Sequence, residues 1–177
     1  MKSLSILFFL IVSIVLTSHA QTYYVVRHAE KMAIDSASMM NSDPPLSNTG
    51  KDRAKALKEA LKKKNIRYIF STNTIRTRAT AEPLSESKHI PIQTYGPKPD
   101  TAFIRQLKSL KGNVLVVGHS NTVDDIVNGL CGKLLLNDLP DAAYDNLFIV
   151  TNNNGQYELK QEKYGNKTAV RTVKKRE

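Results

Sequence analysis

A chain of 177 residues with 41% hydrophobic content carries enough apolar side chains for one domain with a substantial core and too few for two. Lys and Arg number 26 against 16 Asp and Glu, a formal net charge of +10, which favours anionic partners. Cys131 is the only cysteine, so an internal disulfide is excluded and the fold must stand on its core.

The first twenty residues read as a targeting segment. Met1-Lys2 is a short positive start, Leu4 to Leu16 is apolar except for Ser5 and Ser13, and Ser18-His19-Ala20 is a small-x-small ending. The expectation is a secretory signal peptide over residues 1–20, cut after Ala20, and a secreted, periplasmic mature chain. The apolar stretch falls short of the roughly 20 residues that span a bilayer, so no stable membrane insertion is expected after cleavage.

Tyr23-Tyr24-Val25-Val26 is aromatic and β-branched, too short for a helix, and is predicted to be a central strand. It runs straight into Arg27-His28-Ala29-Glu30. Lys31 to Pro45 has no sustained period and reads as a loop forming one wall of a site. After Ser47-Asn48-Thr49-Gly50, Lys51 to Lys64 is amphipathic: Ala54, Leu57, Ala60 and Leu61 recur at helical spacing while lysines take the other face. Ile66 to Phe70 is a second strand, and Arg76 to Leu84 returns to helix formers with Pro83 inside. With Thr72 or Asn73 as cap, Arg76 falls in the first turn, beside the free amides of a helix N-terminus, which is anion-binding ground.

Ile90 to Tyr95, with Pro91, reads as a short edge strand, and Ala102 to Leu110 as a modest helix. Val114 to Gly118 is another buried strand and delivers His119-Ser120-Asn121. A helix from Thr122 to Leu130 follows, stopping near Gly132, with Asp124 and Asp125 expected at solvated first-turn positions. Asn146 to Thr151 and Gln156 to Glu162 form a hairpin around Asn-Gly. Residues 21–164 make the domain, and 165–177 form a basic surface tail. The alternation predicts an α/β three-layer sandwich: a mainly parallel central sheet, helices on both faces and a C-terminal hairpin.

Ligands of such sheets bind outside the carboxyl ends of the strands, where Arg27 with His28, Arg76 and His119 converge. Guanidinium forks match phosphate oxygens and keep their charge, and a neutral imidazole among them is a nucleophile toward phosphorus. The other histidine, if protonated, would stabilise charge on the equatorial oxygens in transfer. No His, Cys, Asp or Glu spacing suggests a metal, and no cofactor is expected. His89 has no partner in sequence and reads as a surface residue.

These stretches resemble the histidine phosphatase superfamily, the phosphoglycerate mutase-like fold. Arg27-His28-Ala29-Glu30 is similar to its Arg-His-Gly-Glu signature with alanine in place of glycine. Leu46-Ser47-Asn48-Thr49-Gly50 resembles its Leu-Ser/Thr-x-x-Gly helix start, Ser71 to Ala81 its Ser-x-x-x-x-Arg-x-x-x-Thr-Ala element, and Gly118-His119-Ser120 its second histidine motif. The resemblance implies that His28 is the phosphorylated nucleophile, that Arg27 and Arg76 bind the phosphoryl group, and that His119 assists transfer. Ser120 would offer a backbone amide to phosphate, and Arg78 falls outside the motif. The acidic proton donor that the family places before the second histidine has Glu82, Glu86 and Asp100 as candidates here, with Asp100 preferred and Asp124 and Asp125, after His119, as alternatives. Glu30 would either orient the site or form a salt bridge.

The expected function is a metal-independent phosphomonoester hydrolase acting on small phosphorylated substrates or phosphorylated envelope glycans. The alternatives are a non-catalytic anion- or phosphate-binding envelope protein and phosphoglycerate mutase-type phosphoryl transfer. Nucleic acid is not an expected partner, because the lysines spread over a helix face and tail without interleaved aromatics.

Overall fold

The computed structural model describes residues 20–33 and 43–167. The signal peptide expected over residues 1–20 lies outside them except for Ala20, as do residues 34–42 of the loop after the first strand and 168–177 of the expected tail. Among the described residues, no helix is long and apolar enough to cross a membrane.

Six strands and four helices alternate: β1 (Gln21–Arg27), α1 (Asn48–Leu61), β2 (Ile66–Thr72), α2 (Ile75–Lys88), β3 (Ile92–Tyr95), α3 (Thr101–Ser109), β4 (Asn113–Gly118), α4 (Val123–Cys131), β5 (Asn146–Asn153) and β6 (Gln156–Lys163). They build one sheet in the order β3-β2-β4-β1-β5-β6. The first four are parallel, β5 runs antiparallel to β1, and β6 antiparallel to β5. This is the expected α/β architecture.

The period of two along the central strands sorts their side chains into two cores. Tyr23, Val25, Val114, Val116 and Phe148 face Phe103 and Leu107 of α3 and Ile126, Val127 and Leu130 of α4. Tyr24, Val26, Leu115 and Val117 face Leu57 and Leu61 of α1 and Ala81 and Leu84 of α2. Burial on both faces is why β1 and β4 read as continuous apolar runs. The edges are blunted: β3 is four residues long and starts just after Pro91, which has no N–H to donate, and β6 alternates exposed Glu, Lys and Gln with half-buried residues. The hairpin turns on Asn154 and Gly155, at φ 53° and 89°, the positive pair that a tight two-residue turn demands.

The end of β2 and both ends of α2 differ from expectation. β2 continues to Thr72 because Ser71 and Thr72 still pair with Thr94 and Tyr95, so the cap of α2 moves to Thr74, whose side chain accepts from Thr77 N. α2 also runs through Pro83 to Lys88, since its buried face of Thr77, Thr80, Ala81 and Leu84 holds the helix by packing. His89 ends it in the left-handed region and is exposed, a surface residue as expected.

The start of α1 docks on the chain that follows His28. Ser47 N donates to the Glu30 carbonyl at 2.9 Å, and Ser47 Oγ caps the helix by accepting from Gly50 N at 3.1 Å. A Cβ on Gly50 would stand 2.1 Å from that same carbonyl oxygen, so glycine is required by close approach. Gly50→Ala is expected to lower unfolding stability by about 1–3 kcal/mol or more, read from denaturant melts, through backbone overpacking. An unchanged midpoint would contradict the contact.

Candidate active site

The site begins with a register. β1 and β4 pair in parallel with Arg27 opposite Gly118, and the ladder runs one step further, His28 N donating to Gly118 O at 2.8 Å. Two strands held in step release their next residues side by side. The rings of His28 and His119 lie edge to face with centroids 5.4 Å apart. On the far side of β4, β2 ends at Thr72, whose Oγ1 is 2.9 Å from His119 Nε2.

The partners assign both tautomers. His28 Nδ1 lies 2.8 Å from Ala29 O, a carbonyl that can only accept, so Nδ1 carries the proton and Nε2 keeps its lone pair. Thr72 Oγ1 donates to Thr77 Oγ1, so it accepts from Nε2–H of His119. His119 Nδ1 is then the acceptor facing Arg76 Nη2 at 3.5 Å. Burial pushes the His28 pKa down to about 3; the bond to Ala29 opposes the shift, and Arg27, Arg76 and His119 add to it. His119 falls to about 4, by burial first and then by Arg76 and Arg27, with Asp43 opposing. Both imidazoles are neutral at neutral pH.

Each of the two arginines is anchored through Nη1. Arg27 Nη1 donates to Pro140 O at 3.0 Å and Asp141 O at 2.9 Å, while its guanidinium lies 4.1 Å over the Tyr144 ring, with Nη2 3.3 Å from Tyr144 Oη. Arg76 Nη1 donates to Asp43 Oδ1 at 2.9 Å. In both, Nε is buried and has no hydrogen-bond partner among the described residues. Nε and Nη2 form one edge of a guanidinium, the edge that can grip an oxyanion with two parallel bonds, and in both residues Nη2 also has a contact on this edge, Tyr144 Oη for Arg27 and His119 Nδ1 for Arg76.

Around them stands a supporting layer. Glu30 takes a two-point bond from Arg53, with Nε 2.8 and 2.9 Å from its carboxylate oxygens and Nη2 2.6 Å from one of them. Arg53 Nη1 reaches Tyr164 O and Asn166 O, so the pair ties the residues after His28 to the end of β6. Of the two roles open to Glu30, the salt bridge is the one observed. Thr80 Oγ1 accepts from Ala29 N at 2.9 Å and donates to Arg76 O, joining α2 to the segment that follows His28.

The structure therefore brings Arg27, His28, Arg76 and His119 together. Arg78 is exposed and outside the site. Ser120 sits in the turn before α4, where its carbonyl accepts from Leu139 N and anchors the segment that carries Pro140 to Tyr144. Asp100 is not gathered in: it is exposed, and its carboxylate caps α3 by accepting from Phe103 N at 2.7 Å. Asp124 is 8% exposed rather than solvated, and burial followed by Asp125 raises its pKa. The N-terminus of α2 already meets an internal anion, since Ile75 N donates to Asp43 Oδ2 at 2.7 Å. Sequence reasoning missed Arg53, Asp43 and Tyr144. Arg53 had a signal, because it shares the helical face of Gly50, Ala54, Leu57 and Leu61.

The chain is similar to known proteins in the same region. The family described as the histidine phosphatase superfamily (branch 1) matches residues 23–96. Among solved structures, the protein histidine phosphatase SixA complexed with tungstate is similar at 22% identity, covering 80% of this chain and 96% of that one, with a TM-score of 0.63. A mycobacterial glucosyl-3-phosphoglycerate phosphatase is similar at 14% identity, covering 82% and 99%, with a TM-score of 0.59. A phosphoglycerate mutase from Bacillus anthracis is similar at 16% identity, covering 82% and 93%, with a TM-score of 0.53. Among curated proteins, no sequence matches the chain. The structural likeness shows the fold, and the family match supports the histidine phosphatase superfamily over the segment from β1 to β3.

The two depressed imidazoles set a pH dependence. Their folded pKa values of about 3 and about 4 lie below the ordinary 6.5, so the unfolded chain binds protons more readily. The contribution to stability is complete above that value and is lost as pH falls through the window toward pH 3–4. Unfolding stability is expected to drop by up to about 1.4 kcal/mol per pH unit per imidazole within it. NMR of the ring protons is expected to show neither histidine titrating between pH 8 and 5; a midpoint near 6.5 for either would refute the burial argument.

Proposed function

We propose that the chain is a secreted, periplasmic phosphomonoester hydrolase of the histidine phosphatase superfamily, with Ala29 replacing glycine in the signature, and that it needs no metal. The observation that carries this is the pair of anchored arginines, each with a buried, unpartnered Nε, flanking an imidazole whose Nε2 is left basic by its bond to Ala29. A phosphoryl dianion satisfies both edges at once. One similar structure carries tungstate, also an oxyanion, which supports this reading of the pocket.

His28 Nε2 attacks phosphorus, the N–P bond forms, and the P–O bond to the leaving oxygen breaks; that oxygen takes a proton from water. Water then attacks the phosphohistidine, the P–N bond breaks, inorganic phosphate leaves and Nε2 regains its lone pair. Arg27 and Arg76 hold the non-bridging oxygens throughout, replacing solvent with fixed charge. His119 adds a neutral ring beside the transferring group. Small phosphoesters and phosphorylated envelope glycans are the proposed substrates, on the ground of the proposed compartment.

The purified chain is expected to hydrolyse an aryl phosphate with chelator present. His28→Ala should lose on the order of a thousandfold or more in kcat. Phosphate binding without turnover from pH 4 to 7 would favour a non-catalytic binding protein. Loss of activity to the chelator would remove metal independence.

A further inference from the structure

The two phosphate arginines are not held equally well. Arg27 is fixed by two backbone carbonyls and the face of Tyr144. Arg76 has one anchor at ordinary hydrogen-bond length among the described residues, Asp43, besides the 3.5 Å approach to His119. Asp43 lies outside the four motifs and just precedes the helix-start motif. Its two oxygens do different work: Oδ2 takes the first amide of α2 and Oδ1 takes Arg76 Nη1. Because the first bond fixes the carboxylate to the helix that carries Arg76, the second fixes how the guanidinium plane turns about the end of its own side chain.

We propose that Asp43 is a positioning residue for phosphoryl recognition: by holding Nη1 of Arg76 against the start of α2, it turns the Nε–Nη2 edge of that arginine toward His119 and the phosphate site. This rests on the pocket assignment above and adds the residue that aims one of its two cations. A loose guanidinium would pair with phosphate through any of its donors and would have to be ordered at each binding event. Holding it beforehand removes that ordering term.

The sign of the effect separates this role from the others open to a carboxylate. A background negative charge near an anion site repels the anion, so removing it should tighten binding. A helix cap alone should affect melting and leave binding untouched. A positioning residue should weaken binding when removed, and only while Arg76 is present.

The test is calorimetric binding of inorganic phosphate to the full chain as wild type, Asp43→Ala, Asp43→Asn, Arg76→Ala and the Asp43→Ala/Arg76→Ala double variant, with melting temperatures in parallel. Asp43→Ala is expected to weaken phosphate by about tenfold, the loss of one charge-assisted hydrogen bond's worth of order. Asp43→Asn, whose amide oxygen can still accept from Nη1, should weaken it less. In the Arg76→Ala background, Asp43→Ala should change nothing. Tighter or unchanged binding in Asp43→Ala, or an equal loss with and without Arg76, would overturn the proposal. If Asp43→Ala does not fold, Asp43→Asn decides by the same sign. A wild type that ignores phosphate brings down the pocket itself, whereas one whose phosphate binding needs Arg27 and Arg76 and not Asp43 brings down only this assignment.

Discussion

The backbone bond from His28 N to Gly118 O continues the parallel ladder of β1 and β4 past the last strand residue, and the rest of the site depends on that step. It forces two imidazoles, ninety-one positions apart in sequence, to leave the sheet as neighbours. The strand order β2-β4-β1 then brings the end of β2, and with it Arg76, alongside from the other side. Parallel strands need crossover connections, and those helices bury both sheet faces. The polar strand ends are left at one rim, where a ligand can meet them.

Burial shapes the chemistry of that rim. A histidine 4% exposed and beside two guanidiniums cannot easily hold a second proton, so the ring stays neutral and nucleophilic where an exposed imidazole would begin to protonate. The arginines cannot shed their charge by titration. Each gives Nη1 to fixed oxygen acceptors, two backbone carbonyls for Arg27 and the Asp43 carboxylate for Arg76. Arg53, by contrast, is engaged with Glu30 and with the carbonyls beyond β6.

Much of this was legible along the chain because it is local. An apolar run ended by charge marks a buried strand reaching the edge of a sheet, and three such runs were visible. Arg76 was distinguishable from Arg78 by spacing, and Thr80 was marked by its place in the arginine element. The cap of α2 falls at Thr74, past the expected Thr72 or Asn73, because pairing with β3, a tertiary event, decides where β2 stops. Asp100 looked like an acid in search of a role and is a helix cap. Asp124 looked solvated, and packing covered it.

By itself, then, the order of residues determined the element types and the three-layer α/β class, and it set Arg27, His28 and His119 at strand ends and Arg76 at a helix start, since each follows from period, capping and residue chemistry within a short window. What only the tertiary structure decided is which atom of each residue does the work. The tautomer of His28 is set by the carbonyl of Ala29, that of His119 by Thr72 on another strand, the free edge of Arg27 by Pro140 and Asp141, and that of Arg76 by Asp43. Four of these five partners come from segments remote in sequence, and hydrogen-bond direction over such separations is written by packing and register, which no local pattern encodes.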